Sequence, residues 1–147
     1  MKKIILAIAI LLVAAPATFA QKITKGYYAI TSKGDIYFGG TKLGFITKDS
    51  LVKNAKGKKI AFLKSDGTLV DANGKNLGRV SKDGTTYYDN NGVTVLTIKR
   101  NTDSETCSIF DANGKKIGNV HDNYKGVACS LHCFTNKIDM KEHKKIN

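Results

Sequence analysis

Two stretches decide the fold: Asp71-Ala72-Asn73-Gly74-Lys75-Asn76-Leu77-Gly78-Arg79-Val80 and Asp111-Ala112-Asn113-Gly114-Lys115-Lys116-Ile117-Gly118-Asn119-Val120. Each runs Asp-Ala-Asn-Gly-Lys, one variable residue, an apolar residue, a glycine and, two positions on, a valine. Looser copies occupy Tyr37–Ile46, Asn54–Leu63 and Asp89–Ile98. The turn glycines Gly40, Gly57, Gly74, Gly92 and Gly114 lie 17, 17, 18 and 22 residues apart. Self-similarity at a nearly fixed period marks a repeat architecture and outweighs local propensity.

Each copy reads as a β-hairpin. Asn-Gly at 73–74, 91–92 and 113–114 is a strong hairpin signal, since both residues tolerate the positive φ of a type I′ turn. β-formers precede these turns at Thr68-Leu69-Val70, Thr86-Tyr87-Tyr88 and Ser108-Ile109-Phe110. Apolar residues follow at Leu43, Ile60, Leu77, Val95 and Ile117, and again three positions later at Ile46, Leu63, Val80, Ile98 and Val120. A spacing of three puts two side chains on opposite faces of a regular strand, so a bulge is expected between them. The residue after the first apolar position is Gly44, Ala61, Gly78, Leu96 or Gly118, small in four of five copies. Glycine inside a strand marks a bulge or a close backbone approach. Ser-Asp-Gly at 65–67, Lys-Asp-Gly at 82–84 and Lys48-Asp49-Ser50 join the units by turn chemistry.

The expected architecture is all-β: five consecutive hairpin repeats around a pseudo-five-fold axis, closed by N- and C-terminal strands. The units span about 32–48, 49–64, 65–82, 83–103 and 104–123, followed by a closing segment at 124–147. Gly26-Tyr27-Tyr28-Ala29-Ile30 supplies the N-terminal strand. Residues 127–138 fit two descriptions. Val127, Cys129, Leu131 and Cys133 alternate as in a strand, whereas Val127, Leu131, Phe134 and Ile138 fit a helix. Ring closure favours a strand paired with the N-terminal one, because closure removes exposed edges.

The unit order and the two DANGK-x-(Leu/Ile)-G-x-Val stretches at 71–80 and 111–120 make the chain resemble the small secreted bacterial five-fold β-flower proteins. The resemblance runs from Ser32 to Asn123. It implies a fold but no activity and no catalytic residues, because the family has none established. The chain has no Trp, so the signature of WG-type repeat arrays is absent.

Residues 1–20 read as a signal peptide: basic Lys2-Lys3, an apolar run Ile4–Ala15, Pro16, and a small residue, Ala20, before the cut. No Cys follows that site, which argues against lipid anchoring, and no later stretch is long and apolar enough to span a bilayer as a helix. The expected location is periplasmic or secreted, with Gln21–Asn147 as a single domain. That part carries 22 basic against 12 acidic residues, a net +10. A surface of this sign favours acidic partners, such as an anionic glycan or other polyanion. The lysines are nevertheless spread through the repeats, where edge lysines also guard against strand-to-strand aggregation.

Chemistry is sparse. The Asp-x-Asn-Gly turns lack Ca²⁺-loop spacing, since their glycine stands fourth rather than sixth and Lys75 or Lys115 follows it. One cysteine pair with His132 falls short of a zinc ligand set. His132 and Cys133, as sequence neighbours in a strand, would face opposite ways. No nucleophile elbow, phosphate loop or metalloprotease helix motif is present, so no catalytic residue, metal or cofactor is assigned. In an oxidising compartment the three cysteines suggest one bridge. Cys129 and Cys133 in a strand would lie about 13 Å apart, which leaves Cys107 to Cys129 or Cys133. The ligand-binding candidates are Tyr28, Tyr37 and Tyr88 with Lys75 and Lys115. Adjacent tyrosines put one ring inside and one outside, and the outer ring can stack on a sugar or a base. A non-enzymatic binding module follows. The alternatives are a structural or envelope-assembly module that binds another protein and, with less support, a hydrolase using turn carboxylates.

Overall fold

The computed structural model describes residues 26–135. The signal-peptide stretch and the charged tail from Asp139 lie outside the described residues. The strands are β1 (Tyr28–Ile30), β2 (Asp35–Phe38), β3 (Thr41–Ile46), β4 (Leu51–Asn54), β5 (Lys59–Leu63), β6 (Thr68–Asp71), β7 (Asn76–Val80), β8 (Thr86–Tyr88), β9 (Thr94–Arg100), β10 (Thr106–Asp111) and β11 (Lys116–His121). A 3₁₀ segment, Asp122–Ser130, and a short helix α1 (Leu131–Thr135) follow.

Every strand pairs antiparallel with its neighbours in sequence, and β1 pairs parallel with β11, so the eleven strands form a closed barrel. Parallel closure follows from the odd strand number. In an up-and-down meander the first and eleventh strands run the same way.

The turns refine the sequence reading. Two-residue loop geometry, with positive φ at both central positions, occurs at Gly39-Gly40 (φ 56° and 86°). The Asn-Gly turns are instead type I turns followed by a glycine in the left-handed region. Gly74 has φ 82°, its amide donates to the Asp71 carbonyl (3.0 Å), and the Asp71 amide donates to the Lys75 carbonyl (2.9 Å). The Asp71 Oδ1 accepts from the amides of Asn73 and Lys75, both at 2.9 Å. That carboxylate clamp favours the three-residue loop over type I′, and Asp89 and Asp111 repeat it.

The expected bulges are present. Opposite Val52/Lys53, Leu69/Val70 and Ile109/Phe110 the register skips Ile60, Leu77 and Ile117, and opposite Ile36/Tyr37 and Tyr87/Tyr88 it skips Leu43 and Val95. The extra residue resets the alternation. Leu43 and Ile46, or Ile117 and Val120, therefore both reach the core despite their spacing of three. Gly44, Gly78 and Gly118 sit just past the bulges, where a Cβ would overlap the backbone carbonyl oxygens of Lys53, Tyr88 and Tyr28.

Residues 127–134 are helical rather than a closing strand, and β11 closes the ring in their place. The segment enters the barrel: Cys129, Leu131 and Cys133 are buried in one cluster with Ile36, Val52, Leu69, Tyr87 and Ile109 from the wall. About eight strands make an interior that side chains alone can fill, so eleven leave a lumen for the chain to plug. A closed sheet also has no free ladder positions. A plug must therefore satisfy its own backbone polar groups, which a helix does and a lone strand does not. The plug is tied at its start by the Arg100–Asp122 ion pair (3.1 Å) and by the Asp122 amide donating to the Glu105 carbonyl (2.9 Å).

Candidate functional site

The inner wall is packed against the plug, which leaves the outer wall to meet a ligand. There the residue after Gly44, Ala61, Gly78, Leu96 or Gly118 is Phe45, Phe62, Arg79, Thr97 or Asn119. Lysine ammonium groups cover aromatic rings on this wall. Lys42 and Lys53 lie 5.5 and 5.9 Å from the Phe45 ring, Lys59 lies 5.5 Å from Phe62, and Lys99 lies 5.5 Å from Phe110. Lys42 is also tied to Asp35 at 2.8 Å. These lysines have local structural work, and a closed barrel leaves no edge for them to guard.

The phenylalanine is absent from the last three copies, and β7 alone carries a cation in its place. Arg79 takes the place of the covered phenylalanines, and the register lines up Thr68, Arg79, Tyr88 and Thr94 across four strands. The β7–β8 pairing comprises only Arg79 with Tyr88 and Val80 with Tyr87. A cleft of about 390 Å³ opens over this short seam, lined by Thr68, Asn76, Arg79, Tyr88, Asp89 and Asn90, with Gly78 and Gly92.

The lining is held by hydrogen bonds that leave its ends available. The Asn90 Nδ2 donates to the Asn76 carbonyl (2.6 Å), and the Asn76 Oδ1 accepts from the Gly78 amide (2.8 Å). The Asp89 Oδ1 is engaged by the Asn91 and Val93 amides (2.8 and 3.0 Å). Behind the seam, the Tyr87 hydroxyl donates to the Leu77 carbonyl (2.8 Å), and its ring packs on His132 of the plug with centroids 5.2 Å apart. Burial raises the Tyr87 phenol pKa well above its ordinary value and lowers that of His132. The cleft wall is thus backed by neutral, packed rings.

Arg79 has no ion-pair partner among the described residues. The chain's other arginine, Arg100, is committed to the plug. A guanidinium presents a planar fork suited to carboxylate or sulfate oxygens. With a half-buried Tyr88 beside it and amide groups around it, the cleft suits an anionic, hydroxyl-bearing ligand.

Of the candidates read from the sequence, Tyr88 lines this cleft, whereas Tyr28, Tyr37, Lys75 and Lys115 do not. Tyr87 points inward and Tyr88 outward, as adjacent strand tyrosines should. Tyr28 leans on the core and on Phe38, with centroids 4.6 Å apart, and Tyr37 lies half-buried beside Lys42 on the outer wall. Lys75 and Lys115 stand exposed at the tips of separate turns. Sequence reasoning missed Arg79, Asn76 and Asn90. The signal available was an arginine at the position that holds phenylalanine, threonine or asparagine in the other copies.

The disulfide expectation is corrected: Cys107, Cys129 and Cys133 are all free and buried. Cys129 and Cys133 are one helical turn apart in the plug, and the Cys107 thiol donates to the Asp122 Oδ1 (3.2 Å). Burial pushes the Cys133 thiol up to about 12 and raises Cys129 and Cys107 as well, so none is primed as a nucleophile. No cluster of His, Cys, Asp or Glu able to hold a metal exists among the described residues. No protein-family model, curated protein or solved structure matches the chain.

Proposed function

We propose that this protein is a non-enzymatic binding module for an anionic glycan, working outside the cytoplasm after signal-peptide cleavage. Its barrel is best understood as five hairpin units around a pseudo-five-fold axis, in the manner of the β-flower proteins. Arg79 carries the proposal: a guanidinium with no ion-pair partner among the described residues, beside Tyr88, at a position that holds phenylalanine, threonine or asparagine in the other units. Symmetry builds the scaffold, and a site needs a departure from it. A net charge of +10 on Gln21–Asn147 would draw an acidic chain toward this wall.

The protein-binding alternative has less to work with. A closed sheet offers no edge for strand addition. The exposed large apolar residues among those described are Phe38 and Val93, on the turns of two different hairpins.

The test is binding of purified Gln21–Asn147 to uronate-bearing and sulfated oligosaccharides, nucleic acid and anionic vesicles at about 50 and about 200 mM salt. Selective glycan binding that weakens with salt, and that Arg79→Gln reduces about tenfold or more, supports the assignment. Equal weak binding to every polyanion, or binding indifferent to Arg79, refutes it.

A further inference from the structure

A second cleft, of about 440 Å³, opens at the opposite end of the barrel, between the inter-unit turns and the start of the plug. Ser32, Thr47, Lys48 and Ser50 line it from two adjacent turns, and Asn123 and Tyr124 from the plug.

Ser50 is its unusual member. It is the one non-glycine residue with positive φ (62°) among those described. In three of the other four inter-unit turns the corresponding position is Gly34 (87°), Gly67 (88°) or Gly84 (73°), and the β9–β10 turn has no residue with positive φ. The turn dictates this conformation, since the Ser50 amide donates to the Thr47 carbonyl and its carbonyl accepts from the Leu63 amide, both at 3.0 Å. A side chain in the left-handed region is disfavoured, and such outliers gather at functional sites. The Ser50 hydroxyl makes no hydrogen bond to another described residue, so its side chain does not itself offset the strain there.

The neighbours supply complementary chemistry. Lys48 has no ion pair among the described residues, and no carboxylate lines the cleft. The Tyr124 ring lies over Gly34, where a Cβ would come within 2.9 Å of its Cζ, so the ring's position depends on that glycine. The Thr47 Oγ1 accepts from the Leu51 amide (3.2 Å) and keeps its own proton to donate.

We propose that this end cleft binds a single hexuronate unit, with Lys48 on the carboxylate, the Ser50 and Thr47 hydroxyls on ring hydroxyls, and Tyr124 against the apolar face of the pyranose. One cation, several hydroxyl and amide groups and one aromatic face match one charge, several hydroxyls and one ring. The proposal shares its ligand class with the wall cleft but none of its residues, so the two fail separately.

The test uses Gln21–Asn147 and methyl glucuronide as the probe, with methyl glucoside as the neutral control, followed by ¹H–¹⁵N correlation spectra and thermal melts. The expected result is millimolar binding of the glucuronide, with shifts at Lys48, Ser50 and Tyr124, and weaker binding of the glucoside. Ser50→Gly weakens glucuronide binding about fivefold, as for loss of one hydrogen bond, while its melting temperature is unchanged or raised. Lys48→Gln loses the preference for the glucuronide. Absence of binding, equal binding by Ser50→Gly, or a lower melting temperature for Ser50→Gly would each overturn the proposal. The last outcome would give the serine a structural role instead.

Discussion

Alanine at three glycines separates the two reasons a position demands glycine. Gly74 has φ 82° with open space around its absent Cβ. Gly118 has an ordinary φ, but a Cβ there would overlap the Tyr28 carbonyl oxygen. Gly78 combines both, with φ 144°, overlap with the Tyr88 carbonyl oxygen and a contact of 2.6 Å to the Tyr87 hydroxyl. Left-handed strain costs an alanine about 1 kcal/mol at Gly74, and the stiffer unfolded chain returns about 0.4–1 kcal/mol. Gly74→Ala is therefore close to neutral. Gly118→Ala must push β1 away from β11 at the closure of the barrel, an overpacking cost of about 1–3 kcal/mol. Gly78→Ala adds strain of about 1–3 kcal/mol, the same overpacking, and loss of the Tyr87–Leu77 hydrogen bond at about 1 kcal/mol. These terms sum to about 3–7 kcal/mol, a large share of a typical domain's stability of about 5–15 kcal/mol. At about 4 °C per kcal/mol, thermal melts should rank Gly78→Ala far below Gly118→Ala, and Gly118→Ala below Gly74→Ala. Equal melting temperatures for Gly74→Ala and Gly78→Ala would refute the crowded bulge behind the wall cleft.

Three further outcomes follow from the plug and the turns. Without reductant, denatured protein should titrate three thiols, and native protein at pH 8 should react only as fast as it unfolds, because Cys107, Cys129 and Cys133 are buried; one thiol after denaturation would mean a bridge. His132 has its pKa lowered by burial, so the unfolded chain binds more protons as pH falls through about 6.5. Stability should therefore decline between about pH 7 and pH 5, and His132→Leu should reduce that slope; an unchanged slope would place the titration elsewhere. Asp111→Ala should cost about 1 kcal/mol in urea unfolding by releasing the Asn113 and Lys115 amides, and no change would deny the carboxylate its role in the turn.

Hairpin positions and bulges were legible because they have local causes. Asp-x-Asn-Gly fixes the turns at 71–74, 89–92 and 111–114, and the spacing from Leu77 to Val80 requires a bulge. The turn type was not legible from Asn-Gly alone, because the preceding aspartate decides it through hydrogen bonds to the backbone. The helical state of residues 127–134 was undetermined because their pattern fits both periods. What decides it is non-local: β11 already completes the ring and leaves no ladder to join. The disulfide expectation failed for the same reason, since its distance argument assumed a strand. Tyr88 was found by its outward position, whereas Arg79 needed the cross-strand register to place it beside that ring.

The central claim is that an acidic glycan occupies the cleft over the β7–β8 seam. The most direct test is a titration of ¹⁵N-labelled Gln21–Asn147 with a uronate oligosaccharide. The account predicts perturbations concentrated at Asn76, Arg79, Tyr88 and Asn90 that vanish in Arg79→Gln. Shifts confined to exposed lysines such as Lys75 and Lys115, or an unaltered spectrum, would contradict it.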